Sequence, residues 1–354
     1  MMRFSALASA LILAAVLVTS AAAAAPADPT PGRSSRPGHT GETPTPAIPP
    51  PPPDLYRPQV DVEADPDAFY APTYYRERGL PANAGGFDAE KRAWIKPFRE
   101  FAAGGPLRPT YSRHTVALLP LGDVDERAGK RIALVREFLS AYLALPARVL
   151  PAEPLVGRPA RAVDVKGKAV RQCEANHLLR HMVASRRSAD VFVCVGLSTA
   201  DLYAADLDWP SVAHLAATGE GIAVCSLART FAEFFGRESK PEGAYRERRL
   251  TFGMAADAAC RAVGLTPCRK YYCVMNQARE TSTREPPHLC PDCLCKLRWA
   301  LGFDPIARYD ALRTFYRKAG MPVEARWTEL RARECREGLA KARRAGSAQP
   351  SGGQ

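Results

Sequence analysis

Two cysteine pairs stand close together late in the chain: Cys268-Arg-Lys-Tyr-Tyr-Cys273-Val-Met275 and, further on, Cys290-Pro-Asp-Cys293. A thiol pair two to four residues apart can grip one metal ion from a tight turn. A C-x4-C with a C-x2-C completes the tetrahedral four-thiolate set that suits zinc. The spacing points to one structural Zn2+ held by Cys268, Cys273, Cys290 and Cys293, and it is silent on catalysis. Disulfides are the other reading of close thiols in an exported chain, and the zinc spacing argues against them.

Other side chains invite chemistry less strongly. His177 and His181 are four apart on an expected helix, so both rings share a face that could bind a metal; with no third ligand nearby, two ordinary helix histidines are the plainer reading. Asp257 and Cys260 would make an unusual ligand pair, and the cation Arg261 weighs against it. Asp201 and Tyr203 could line a cleft, although Asp201 is expected to cap a helix or turn. Cys194 and Cys225 sit in apolar runs and read as small buried hydrophobes.

The elements that must position these residues are legible as an alternation of strands and helices. Thr115–Leu121, Asp190–Leu197 and Gly221–Ser226 are near-continuous apolar runs, as expected of strands buried on both faces. Ile132, Val135, Leu139 and Leu143 recur at helical spacing. A strand near Arg148–Leu150, a polar loop through Gly167 and a helix over Gln172–Ser185 lie between. Trp94, Phe98 and Phe101 predict a short helix before Gly104-Gly105. Arg246–Ala262 reads as a helix stopped at Gly264, followed by the four-cysteine loop and three helices, 294–301, 305–319 and 323–345. Strand–helix–strand alternation of this kind implies an α/β fold with crossover helices.

The 354 residues carry a net charge of +12 and a pI near 9.3. The excess is spread along the chain and gathers at the C-terminus, with no basic stripe interleaved with aromatics, so no specific nucleic-acid signature is present. Arg3, the Leu7–Val18 apolar core and the Ala21–Ala25 cleavage sites predict a signal peptide over 1–25. An uncleaved membrane anchor is the alternative. Export, to a secreted or periplasmic location, is therefore expected, with no membrane span after cleavage. Residues 26–90 are Pro-rich and read as a disordered or irregular linker, 91–338 as the folded domain, and 339–354 as a basic disordered tail.

The order of parts resembles the archaemetzincin (archaelysin) family of zinc metallopeptidases. In that family an active-site helix carries H-E-x-x-H-x-x-G-x-x-H and runs into C-x4-C-x-M, with a C-x2-C downstream. Gly264, Cys268, Cys273, Met275, Cys290 and Cys293 stand in that register, and the family pattern chooses Cys293 over Cys295 as the fourth ligand. Leu119-Pro-Leu-Gly122, Asp201-Leu-Tyr203, Ala223-Val-Cys-Ser-Leu-Ala-Arg229, Arg308-Tyr309 and Trp327 resemble family elements, so the likeness covers about residues 94 to 337. It implies a metzincin-like mixed, mainly parallel sheet with an edge strand near Gly221–Ser226, backing helices, a four-cysteine zinc loop and C-terminal helices. Met275 takes the Met-turn position.

The departure from the family is at the catalytic motif. The first zinc-histidine position is Asp257, the general-base glutamate position is Ala258, and the second and third histidine positions are Arg261 and Pro267. A catalytic zinc needs about three protein ligands with an open position for water, and its water needs a base. Ala258 accepts no proton, Pro267 offers no ligand atom, and Arg261 repels a cation. Asp257 and Arg261 lie one turn apart and could pair instead. The resemblance with this departure implies a pseudopeptidase that keeps one structural zinc and a cleft for an extended peptide or protein. The alternatives are an active metallopeptidase with a non-standard metal site using Asp257, Cys260 or a distant histidine, and a basic surface-binding scaffold built on the Arg/Lys-rich C-terminal helix.

Overall fold

The computed structural model describes residues 97–236, 241–268, 273–275 and 287–347. The signal and linker segments expected over 1–90, together with Trp94, lie outside the described residues. A short helix α1 (Phe98–Ala103) leads to strand β1 (Thr115–Leu121), helix α2 (Glu126–Leu143) and strand β2 (Ala147–Val149). A hairpin follows, β3 (Ala160–Val165) and β4 (Lys168–Glu174), and then a helical stretch over 175–186 with a π-helical run at Leu178–Val183. Five strands come next: β5 (Val191–Ser198), β6 (Asp201–Ala204), β7 (Trp209–Val212), β8 (His214–Ala217) and β9 (Ile222–Ser226). Helices α3 (Pro241–Val263), α4 (Pro291–Leu301), α5 (Pro305–Lys318) and α6 (Pro322–Ser347) complete the chain.

The strands form two mixed sheets. The larger has the order β2-β1-β5-β9-β8; β1, β2, β5 and β9 run parallel and β8 runs antiparallel to β9. Side chains alternate across a strand, and here the alternation feeds two cores. Val116, Leu118, Val193, Val195, Ala223 and Cys225 enter one, shared with α2, α3 and the C-terminal helices; Ala117, Leu119, Leu121, Cys194 and Val224 enter the other, against Leu178, Leu179, Met182 and Val183. Both faces are therefore dry, which is why these strands lack an alternating pattern. At the centre of the larger core, Phe138 lies 5.0 Å from Tyr142, 4.9 Å from Phe252 and 5.5 Å from Phe315, centroid to centroid, tying α2 to α3 and α5. Arg308 of α5 donates through Nε to the Tyr142 carbonyl at 2.6 Å, placing a cation on the C-terminal turn of α2 where the helix dipole favours it.

Several sequence expectations change. The strand near Gly221–Ser226 is interior, and β8 outside it is the edge. The polar loop through Gly167 is the β3–β4 hairpin of the smaller sheet, ordered β3-β4-β6-β7. Its turn residues Lys166 and Gly167 both have positive φ, 54° and 79°, the requirement of a tight two-residue turn. The hairpin is mostly exposed on both faces, so no apolar period marked it. The helix expected from Gln172 begins at Ala175, because Gln172 is still in β4. The last helix continues through Ser347, so residues 339–347, expected in the tail, are helical. Among the described residues no helix is long and apolar enough to cross a membrane.

Candidate metal centre and the charged site beside it

Helix α3 ends at Gly264, whose φ of +123° is a backbone conformation that side-chain-bearing residues avoid. The Gly264 and Leu265 amides return to the Cys260 carbonyl at 3.1 and 3.0 Å, and the chain turns sharply away. Cys268 N then donates to Met275 O at 2.9 Å, closing a loop that brings Cys268 beside Cys273. The second pair arrives on the next helix. Cys290 is the N-cap of α4 and Pro291 its first residue, so Cys293 sits in the first turn.

The four sulfurs lie within 4.8 Å of one another and all four residues are buried; among the described residues no other group of three or more histidine, cysteine or acidic side chains could hold an ion. Sulfurs bound to one zinc at about 2.3 Å stand about 3.8 Å apart, and Cys268 Sγ and Cys290 Sγ are already 3.6 Å apart. Backbone amides converge on the sulfurs. Met275 N and Cys290 N donate to Cys273 Sγ at 3.4 and 3.3 Å, and Cys293 N donates to Cys290 Sγ at 3.5 Å. These donors and the α4 dipole stabilise thiolate charge. Without a cation the cluster is unfavourable to ionise. Burial, then the neighbouring thiols, pushes Cys273 well up, and the surrounding thiols, then burial, push Cys293 well up too. The donor set thus fits a soft divalent cation such as Zn2+. None of the ten cysteines joins a disulfide. Cys295 stands outside the cluster, its thiol pushed up to about 12 by burial. Met275 is fully buried in the adjoining core.

About two turns before Gly264 on α3 stands Asp257, the position expected for the first catalytic ligand. Asp257 is buried and both its oxygens are engaged. Arg261 Nε donates to Oδ1 at 2.9 Å and Nη2 to Oδ2 at 3.4 Å; His214 Nε2, from β8, lies 3.0 Å from Oδ2. Burial alone would raise the Asp257 pKa, but Arg261 and then His214 overcome it and hold the carboxyl below its ordinary value. Ala258 is buried and apolar, and Pro267 is buried. These residues do not fit a catalytic zinc. The only carboxylate is spent on a guanidinium, no base stands at 258, and Arg261 occupies the neighbourhood with positive charge.

His214 is the residue that sequence reading missed. It lies in a four-residue strand rich in small residues, and its register opposite Cys225 on β9 carries it to Asp257. No local sequence signal marks it. Cys225 and Cys260 are both fully buried, with thiols raised by burial and by Asp257, which leaves them inert.

The remaining candidates resolve as structure. Asp201 caps nothing: fully buried in β6, it pairs with Arg229, whose Nη2 donates at 2.9 Å, and accepts from Gln172 Nε2 at 2.7 Å. Tyr203 lies under the Arg161 guanidinium at 4.0 Å. His177 and His181 do come together, ring centroids 4.8 Å apart, but no third ligand joins them among the described residues. Among the described side chains of α6, Arg326 pairs with Glu329, Arg331 with Glu334, Arg333 with Glu337 and Arg336 with Asp310, so these four cations are matched by acids. A cavity of about 700 Å³ opens between α2 and α5, lined by Ser140, Ala141, Phe303, Arg308 and others, and neither the four clustered cysteines nor Asp257 lines it.

No family model matches the chain. The chain is 29% identical over 167 residues to Archaemetzincin-2 of Mus musculus, covering 40% of this chain and 45% of that protein. It is 26% identical over 243 residues to Archaemetzincin-1 of Homo sapiens, covering 59% of this chain and 47% of that protein. The chain thus spans less than half the length of these relatives. Among solved structures, archaemetzincin from Archaeoglobus fulgidus is similar at 20% identity and a TM-score of 0.39, covering 51% of this chain and 99% of that one. Archaemetzincin from Methanopyrus kandleri is similar at 22% identity and a TM-score of 0.41, covering 54% and 96%.

Proposed function

We propose that this chain, an archaemetzincin-family metallopeptidase homologue, is a pseudopeptidase: it keeps one structural zinc, lacks the catalytic one, and retains a surface for an extended peptide or protein. The observation that carries this reading is the closed arrangement at Asp257. A hydrolytic zinc there would have to displace Arg261 from a buried carboxylate and, even with His214 as a second donor, would lack a third ligand among the described residues and the base. Cys268, Cys273, Cys290 and Cys293 are the residues that would hold the structural ion. Its contribution would be to tie the end of α3 to the start of α4, with no open position for substrate. The peptide surface is supported by the sheet edge at β8, since an exposed edge can accept an extended chain by main-chain pairing without any bond cleavage. Export after removal of residues 1–25 belongs to the same proposal, and the N-terminal sequence of the protein recovered from its native host is the check on it.

The deciding experiment combines metal analysis of the purified chain with incubation against an unstructured protein substrate. One zinc per chain, resistant to mild chelation, and an intact substrate are expected. A second tightly bound ion together with peptide cleavage refutes the proposal in favour of an active enzyme with a non-standard site.

A further inference from the structure

We infer that the peptide surface beside β8 recognises a carboxylate, through the Arg261 guanidinium. This rests on the pseudopeptidase reading and names the ligand class of that surface. Strand β8 is the outer member of its sheet. Ser226 N donates to Ala213 O, which makes 213 and 226 a hydrogen-bonded pair and 214 with 225 a non-hydrogen-bonded one. The amide and carbonyl of His214, and by alternation those of Ala216, therefore point away from β9 toward the outer edge of the sheet, which no strand covers among the described residues. An added strand would meet main-chain donors and acceptors at the residue whose side chain reaches Asp257.

The polar groups left over at that point favour an anion. The Asp257 carboxylate is 8% exposed and both oxygens are taken, by Arg261 on one side and His214 on the other. Arg261, 11% exposed, spends only Nε and Nη2 on this acid. Its Nη1 has no partner among the described residues, yet is not among the buried atoms left unsatisfied, so its two N–H groups face solvent. His214, 21% exposed, meets the carboxylate at Oδ2 from the strand side, so both oxygens already face hydrogen-bond donors. Ala258 adds no competing acid, and Glu220, at the β8–β9 turn, is already paired with Arg180. What remains is a set of guanidinium N–H donors beside a strand edge that pairs with no other strand among the described residues. A charge-assisted hydrogen bond from such a group is strong enough to tighten binding about tenfold or more. The ligand is an extended peptide whose carboxylate falls opposite Arg261, supplied by its C-terminus or by an Asp or Glu side chain.

The test measures binding of short N-acetylated peptides of strand-forming residues to the zinc-loaded chain, in three forms: free C-terminal acid, C-terminal amide, and amide with one internal Asp. One acid-bearing form is expected to bind about tenfold or more tighter than the plain amide; which one identifies the source of the carboxylate. The preference should vanish in the Asp257→Asn, Arg261→Gln double variant, shown by zinc content and unfolding midpoint to be folded. Equal binding of all three forms overturns the carboxylate inference and leaves the peptide surface standing. An acid preference that persists in a folded double variant also overturns it, because another cation would then be responsible. Binding of no form overturns both the inference and the peptide-surface reading beneath it.

Discussion

Replacing Arg261 by Gln removes the charge facing a buried carboxylate while leaving the backbone of α3 unchanged. Asp257 would keep only His214, 3.0 Å from Oδ2, and lose the contacts at 2.9 and 3.4 Å. Removing one member of a fully buried pair costs about 3–5 kcal/mol. Arg261 is 11% exposed and a histidine partner persists, so the cost falls somewhat below that range, about 2–3 kcal/mol. Asp257→Asn should cost less, about 1–2 kcal/mol, because the stranded guanidinium can turn toward water. The double variant removes both charges together, and its cost should fall short of the sum of the singles by about 1–2 kcal/mol. Urea unfolding of the zinc-loaded chain measures this directly, as a shift in midpoint at constant slope; thermal unfolding should move by about 2–4 °C per kcal/mol. Additive single effects would mean that Asp257 and Arg261 do not act on each other, and the account of a closed, metal-excluding site would fall with them.

The same carboxyl gives a pH signature. Its folded pKa is depressed, so its contribution is present above the unfolded value, near about 3.9, and is lost as pH falls through the folded one. The stability gap between the native chain and Asp257→Asn should be constant at neutral pH and shrink in acid below about pH 4; a gap that widens there contradicts the assignment. Cys290→Ala should release the ion and unfold the C-terminal half together, because folding and metal binding are one equilibrium at a four-thiolate site; far-UV circular dichroism with zinc analysis follows both, and a variant that loses metal yet melts normally would show the ion to be dispensable. Gly264→Ala forces a side chain into φ +123° and should cost about 1–3 kcal/mol, measured by the same urea titration. Phe138→Ala opens the aromatic centre shared by α2, α3 and α5 and should cost about 3–5 kcal/mol without changing zinc content.

Some of this protein was determined by short-range sequence. Strands β1, β5 and β9 are visible as unbroken apolar runs because both their faces are dry. The two cysteine pairs are visible because ligands within one turn carry their spacing in the sequence, and the Asp257–Arg261 pair because a helix brings i and i+4 together. Tertiary structure decided the rest. The β3–β4 hairpin is wet on both faces and leaves no period to read. Asp201 satisfies its charge with Arg229, reached only through the packing of two sheets. The outer strand of the larger sheet is set by which strand pairs with which, and that moved the edge from β9 to β8. His214 belongs to the same class. An imidazole in a four-residue strand carries no mark of its purpose, and only the antiparallel register beside Cys225 places it on the carboxylate of Asp257. Spacing along the chain reports the contacts a single helix or turn can make, whereas a site assembled from a strand edge and a helix exists only once both are packed.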